Sequence, residues 1–63
     1  MFKERDRVRH PRLGYGEIIL IITQKLKNYD EETIYVILIN GMIRKIRYTS
    51  NDYKDIKLVE RSL

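Results

Sequence analysis

The chain has no cysteine and no tryptophan, a single proline, a single histidine and three glycines in 63 residues. Without cysteine there is no disulfide framework and no thiolate metal site, and nothing in the composition points to an oxidising compartment. Its longest purely aliphatic run, IILII at residues 18–22, falls far short of the roughly 20 residues that a membrane-spanning helix requires. The opening, MFKERDRVRH, is too charged for a secretory signal. These absences lead to the expectation of a soluble, cytoplasmic chain with no membrane partner. No composition shift divides it, so residues 1–63 read as one domain. A domain this small buries only about 60% of its unfolded surface, and its ten isoleucines are what it has to build a core from.

Charge is abundant, at +4 net, and unevenly placed. Residues 1–12 hold five Lys/Arg against two acids, residues 41–63 hold six against three, and the middle is mildly acidic. Basic ends of this sort attract nucleic acid or an acidic protein surface, and also serve simply to keep a chain in solution.

Strand signals dominate, because β-branched and aromatic residues cluster in short runs bounded by Gly, Pro, Asn and Asp, and no stretch keeps a helical period. The pattern predicts five strands, at residues 6–10, 17–23, 33–39, 42–48 and 56–59. Residues 24–32, QKLKNYDEE, read as a long exposed loop. Ser50 to Asp55 reads as a turn or a single 3₁₀ turn, with Ser50 and Asp52 as local turn formers.

Asn40-Gly41 between two apolar runs marks a hairpin. Two registers are open. A two-residue loop sets Ile39 against Met42 and gathers Ile34, Val36, Leu38 and Ile43 with Lys45 and Arg47. A three-residue loop of Ile39, Asn40 and Gly41 sets Leu38 against Met42 and Ile34 against Ile46. The second is preferred, because it keeps Lys45 and Arg47 off a face containing Ile34, Val36 and Leu38. It predicts an outer face of Tyr35, Ile37, Ile43, Lys45 and Arg47, which is more apolar than water requires and so a candidate partner surface.

Five short strands, a tight central hairpin and a helical turn before the last strand predict an all-β, SH3-like (Tudor-like) barrel. The competing OB-fold usually places a helix between its third and fourth strands, for which Asn40-Gly41 leaves no room.

The stretch HPRLGYGE invites a chemical reading, yet one histidine with no cysteine and no nucleophile elbow lacks the parts of a catalytic site. Zinc would need converging ligands, and a phosphate loop would need a helix after Gly14 and Gly16 rather than a strand. The expectation is therefore no enzyme, no metal and no cofactor. Val8 and His10 share one side of the first strand, Pro11 stops it, and the glycines turn the corner. His10 reads as a hydrogen-bonded packing residue, flanked by solvated Arg9 and Arg12.

DRVRHPRLGYGEI resembles the opening of the Tudor-like domain at the C-terminus of UvrD/PcrA-type DNA helicases, "GD.VRH..FG.G.V". It is similar, more weakly, to the RNA-polymerase-interacting domain of CarD-type regulators and transcription-repair coupling factors, "GD.VVH..HG.G.I". The matching positions are Asp6, Val8, Arg9, His10, Gly14, Gly16 and Ile18, while Arg5 stands where those families have glycine and Leu13 where an aromatic is common. The resemblance implies a bacterial adaptor in transcription or DNA repair that binds RNA polymerase or a related protein, in some relatives with nucleic-acid contact.

Three functional classes follow. A protein-binding module would use Arg12, Tyr15, Tyr35, Ile37, Ile43, Lys45 and Arg47, or a free strand edge. Direct DNA or RNA binding would use Arg5, Arg7, Arg9, Arg12, Lys45 and Arg47 on phosphates, with Tyr15 or Tyr35 stacking on bases. A homodimer would bury Ile37 and Ile43.

Overall fold

The structure is a computed structural model that describes residues 2–61. Its elements are β1 (Arg7–His10), β2 (Gly14–Lys25), β3 (Glu31–Ile39), β4 (Met42–Arg47), one helical turn α1 (Asn51–Asp55) and β5 (Lys57–Glu60). The strands form a single antiparallel sheet in the order β4-β3-β2-β1-β5. β4 and β5 stand at its two edges, so the sheet is open. No helix among the described residues is long and apolar enough to cross a membrane.

Each junction has a local cause. Before β1, Asp6 accepts a hydrogen bond from the Lys3 amide (2.8 Å) while its own amide donates to the Lys3 carbonyl. Arg5 inside this turn adopts φ +73°. Pro11, Arg12 and Leu13 separate His10 from Gly14, which takes φ +98° and begins β2. Ser50 caps α1 by accepting from the Tyr53 amide, and its hydroxyl donates to the Arg47 carbonyl at 2.7 Å. The turn expected as 3₁₀ is thus one turn of α-helix.

The third strand lies in the register not preferred from sequence. Asn40 (φ +50°) and Gly41 (φ +75°) both occupy left-handed backbone and form a two-residue turn, which sets Ile39 against Met42, Ile37 against Arg44 and Tyr35 against Ile46. Tyr35 and Ile37, expected outside, are 1% and 0% exposed. From the sequence pattern, this register would bury Lys45 and Arg47. It does not, because the face they share with Ile34, Val36 and Leu38 is the outer one.

The loop expected over residues 24–32 shrinks to 26–30. Gln24 pairs with Glu32 and Lys25 with Glu31, so β2 and β3 run on through residues whose polarity suggested a loop. A bulge at Ile19 reverses the phase of β2: Gly16 and Ile18 face inward before it, Ile21 after it, and Leu20 turns out opposite Val36.

The core lies on the inner side, where Val8, Ile18, Tyr35, Ile37, Ile39, Ile46 and Ile56 pack together with Phe2, Leu13, Ile21 and Tyr53 against them. Gly16 belongs here for steric reasons. A Cβ at this position would lie 2.8 Å from both the Ile39 Cβ and the Leu38 carbonyl oxygen, so glycine lets β2 and β3 close. At one end Phe2, Tyr35, Tyr48 and Tyr53 form an aromatic cluster, with Tyr35 and Tyr53 stacked at 5.4 Å. Burial pushes the Tyr35 phenol above its ordinary range, and Tyr53 adds to the shift while a backbone hydrogen bond with Phe2 opposes it.

Candidate interaction face

His10 is the obvious chemical group, and its surroundings define what it can do. It is fully buried. Its Nδ1 accepts from the amides of Arg12 (3.1 Å) and Leu13 (3.3 Å), so the ring proton sits on Nε2, which donates to Asp52 Oδ1 at 3.2 Å. The same carboxylate oxygen takes the Arg12 guanidinium at 3.2 Å. His10 thereby ties the β1–β2 corner to α1 with both ring nitrogens engaged and none facing solvent, which fits the packing role read from sequence.

His10, Asp52 and Asp55 do place ligand atoms within 4.8 Å of one another. A metal on Nε2 would need that nitrogen's lone pair, and hence its proton moved to Nδ1. Two amide donors already point at Nδ1, so the geometry opposes the required tautomer. Asp52, held by His10 and Arg12, works as a tether. From sequence Asp52 was a turn former only; its partner lies 42 positions away, beyond the reach of local reading.

The outer face has a different character. In register across the strands run Arg7–Glu17–Leu38–Ile43, then Leu20–Val36–Lys45, then Ile22–Ile34–Arg47. Val36 is closed over by its neighbours, while Leu38, Leu20 and Ile43 remain 44%, 47% and 64% exposed. Adjoining them, an open groove of about 560 Å³ is lined by Arg7, Tyr15, Glu17, Leu38, Val59 and Glu60 among others.

Cations border this apolar centre on two sides. On β1, Arg7 lies between Glu17 and Glu60 in register, and Arg9 lies opposite Tyr15 and Lys57. The Arg9 guanidinium stands over the Tyr15 ring at 5.8 Å, and Tyr15 is 68% exposed. On β4, Lys45 faces outward and Arg47 pairs with Glu32 at 3.1 Å.

Of the residues expected to bind a protein, Tyr15, Ile43, Lys45 and Arg47 therefore share one face. Arg12 sits at the corner, committed to Asp52. Tyr35 and Ile37 are corrected to the core, where neither can dock a partner nor seal a homodimer and Tyr35 cannot stack on a base. Of the cations expected to meet phosphates, Arg7 and Arg9 occupy one margin and Lys45 and Arg47 the other. Between them lie two strands, about 14 Å across the sheet at ~4.8 Å per strand, and the two sets are also offset along it, since Arg7 stands in the row of Leu38 and Ile43 while Lys45 and Arg47 stand in the rows of Val36 and Ile34. Arg5 lies off the face, in the turn before β1.

Leu20 and Leu38 were missed as surface residues, while Val36 lies on the same outer side but is buried. The available signal was the unbroken run of apolar residues along β2 and β3, since a strand with one solvated face usually alternates. Comparison with known protein families, curated proteins and solved structures finds no match to this chain.

Proposed function

We propose that this chain is a non-catalytic interaction module of the SH3-like, Tudor-like kind, which binds a protein of the transcription and DNA-repair machinery, RNA polymerase foremost. The observation that carries the binding role is the exposure of Leu20, Leu38 and Ile43 together on the outer face, with cations on two sides of them. The strand order, the bulge in β2 and the helical turn between β4 and β5 support the barrel-type reading. Support for the family resemblance comes from Arg5. It stands where those families have glycine, and its φ of +73° is a conformation that glycine favours.

The test is titration of the labelled chain with purified bacterial RNA polymerase. Binding is expected, and Ile43→Glu, at an exposed position, is expected to abolish it while the fold persists. Absence of binding to any polymerase subunit, together with tight binding to DNA, overturns the proposal.

One observation favours nucleic acid instead: the Arg9–Tyr15 pair offers a guanidinium and an exposed ring side by side. That reading requires affinity for DNA or RNA that falls steeply with salt, and it is lost if none is found at about 50 mM salt.

A further inference from the structure

We infer that the occupant of the outer face is an acidic amphipathic helix carried by a protein partner. This rests on the protein-binding reading above and specifies its partner's chemistry.

On β3, Leu38 is exposed on the outer side of a strand whose inner side is already filled, Val36 beside it is buried and Ile34 half-buried, and Leu20 and Ile43 continue the exposed apolar run on either flank. A ligand must therefore bring a continuous apolar stripe. The margins set the next requirement. At the Leu38 end of the face Arg7, Arg9 and Lys57 outnumber Glu17 and Glu60, with Glu4 further along the same margin at the Ile21 amide, and on the other side Lys45 with Arg47 outnumber Glu32, so the face is positive where these cations stand. Carboxylates on both sides of the stripe complement them.

Dimensions choose among secondary structures. Three strand spacings from β1 to β4, with an offset of two residues along them, put Arg7 and Lys45 about 16 Å apart, on either side of the oblique line from Ile43 through Leu38 to Leu20. A helix with its side chains is about 10–12 Å wide, so one laid obliquely over Ile43, Leu38 and Leu20 covers the exposed apolar residues and holds its flanking acids towards Arg7 on one side and Lys45 on the other. That exposed run is about 12 Å long, which three helical turns of about 16 Å cover. A single added strand is too narrow to reach both margins. A second copy of the chain brings cations to cations, each copy carrying +4 net charge. Phosphates would meet Leu20, Leu38 and Ile43 across the centre, where they find neither charge nor hydrogen-bond donors.

The probe is a designed helical peptide of about 14 residues, with leucines on one stripe and glutamates on both flanks, titrated into the ¹⁵N-labelled chain by NMR. Its control carries lysines in place of the glutamates. Expected are amide shifts centred on the outer residues of β2, β3 and β4, and a preference of about tenfold or more for the glutamate peptide at low salt. Leu38→Glu and Ile43→Glu, both at exposed positions, are expected to remove the response while amide dispersion reports an intact fold.

Equal response to the lysine peptide overturns the inference, as do shifts confined to the Arg9–Tyr15 end. So does sedimentation of the wild-type chain as a dimer that Ile43→Glu dissociates. If RNA polymerase binds and the peptide does not, the helix is wrong and the adaptor reading stands. If the peptide binds and polymerase does not, the partner's identity falls and the helix site stands.

Discussion

On the inner side of β3 stand Tyr35, Ile37 and Ile39, and on the outer side of the same strand stand Ile34, Val36 and Leu38. Residue type hardly separates the two sets; what lies against them does. The inner set packs into the core with Val8, Ile18, Ile46 and Ile56, while of the outer set Val36 is buried, Ile34 half-buried and Leu38 exposed to water. Folding buries one apolar face of the sheet and leaves Leu20, Leu38 and Ile43 exposed on the other. Hydrophobicity alone therefore does not locate the core, and the backbone must decide which face is which.

Paired truncations break this comparison most directly. Ile37→Ala opens a cavity at a fully buried site and is expected to cost about 2–5 kcal/mol, comparable with the whole stability of a domain this small. Ile43→Ala, one strand away on the outer side, is expected to stay within about 0.5 kcal/mol. Urea unfolding of both variants is the measurement. Equal costs would mean that Ile43 is as well covered as Ile37, and a larger cost at Ile43 that the faces have been assigned the wrong way round.

That assignment is also where the sequence was hardest to read. The positions of all five strands, the Asn40-Gly41 turn, the Pro11 corner and the packing role of His10 were legible from local chemistry. So was the outward placement of Ile43, Lys45 and Arg47, because two of the three cations in β4 share that side and only Arg44 stands on the other. β3 carries no such mark, since IYVILI is apolar at every position and either phase satisfies a burial argument. The information sat in the turn: Asn-Gly suits two successive left-handed residues, which fixes a two-residue loop and with it the phase of Tyr35 and Ile37. Gln24, Lys25, Glu31 and Glu32 misled in the opposite sense, for their polarity resembles a loop while their cross-strand pairing makes a hairpin arm.

Next in size is Gly16→Ala. The new methyl would meet the Ile39 Cβ and the Leu38 carbonyl at 2.8 Å, and the second of these is backbone that can yield only by moving β3. A cost of about 1–3 kcal/mol is expected, with loss of β2–β3 amide protection in hydrogen exchange near Gly16 and Ile39. Because Leu38 and Ile39 shift together, this inner-face change is also expected to weaken partner binding on the outer face. Wild-type stability in this variant would mean that the two strands are more loosely apposed than the geometry indicates.

Tyr35 offers a pH test of the inner face alone. Its phenol titrates above the ordinary value near 10 because burial and Tyr53 disfavour the phenolate in the folded chain. The native state thus holds this proton more tightly than the unfolded chain does. The resulting stabilisation is fully present below about pH 10 and is lost as pH rises through the raised value. Urea midpoints followed upward from about pH 9 should fall more steeply for wild type than for Tyr35→Phe. Parallel curves would show the phenol to be better solvated than its place in the aromatic cluster implies.

The smallest expected effect lies on neither face, at the turn that sets the phase of β1. Arg5 holds φ +73°, a left-handed conformation that costs a residue with a Cβ about 1–2 kcal/mol, directly before the alternation that sends Asp6, Val8 and His10 inward. Glycine removes that strain but widens the unfolded ensemble by about 0.5–1 kcal/mol, so Arg5→Gly is expected to stabilise by roughly 0.5 kcal/mol. For a domain of this size that is a rise of about 2–4 °C in Tm, with the inner and outer amide patterns unchanged. A fall in Tm instead would show that the Arg5 side chain contributes more than its backbone strain removes. The charge at this position would then belong to the reason the chain departs from glycine there.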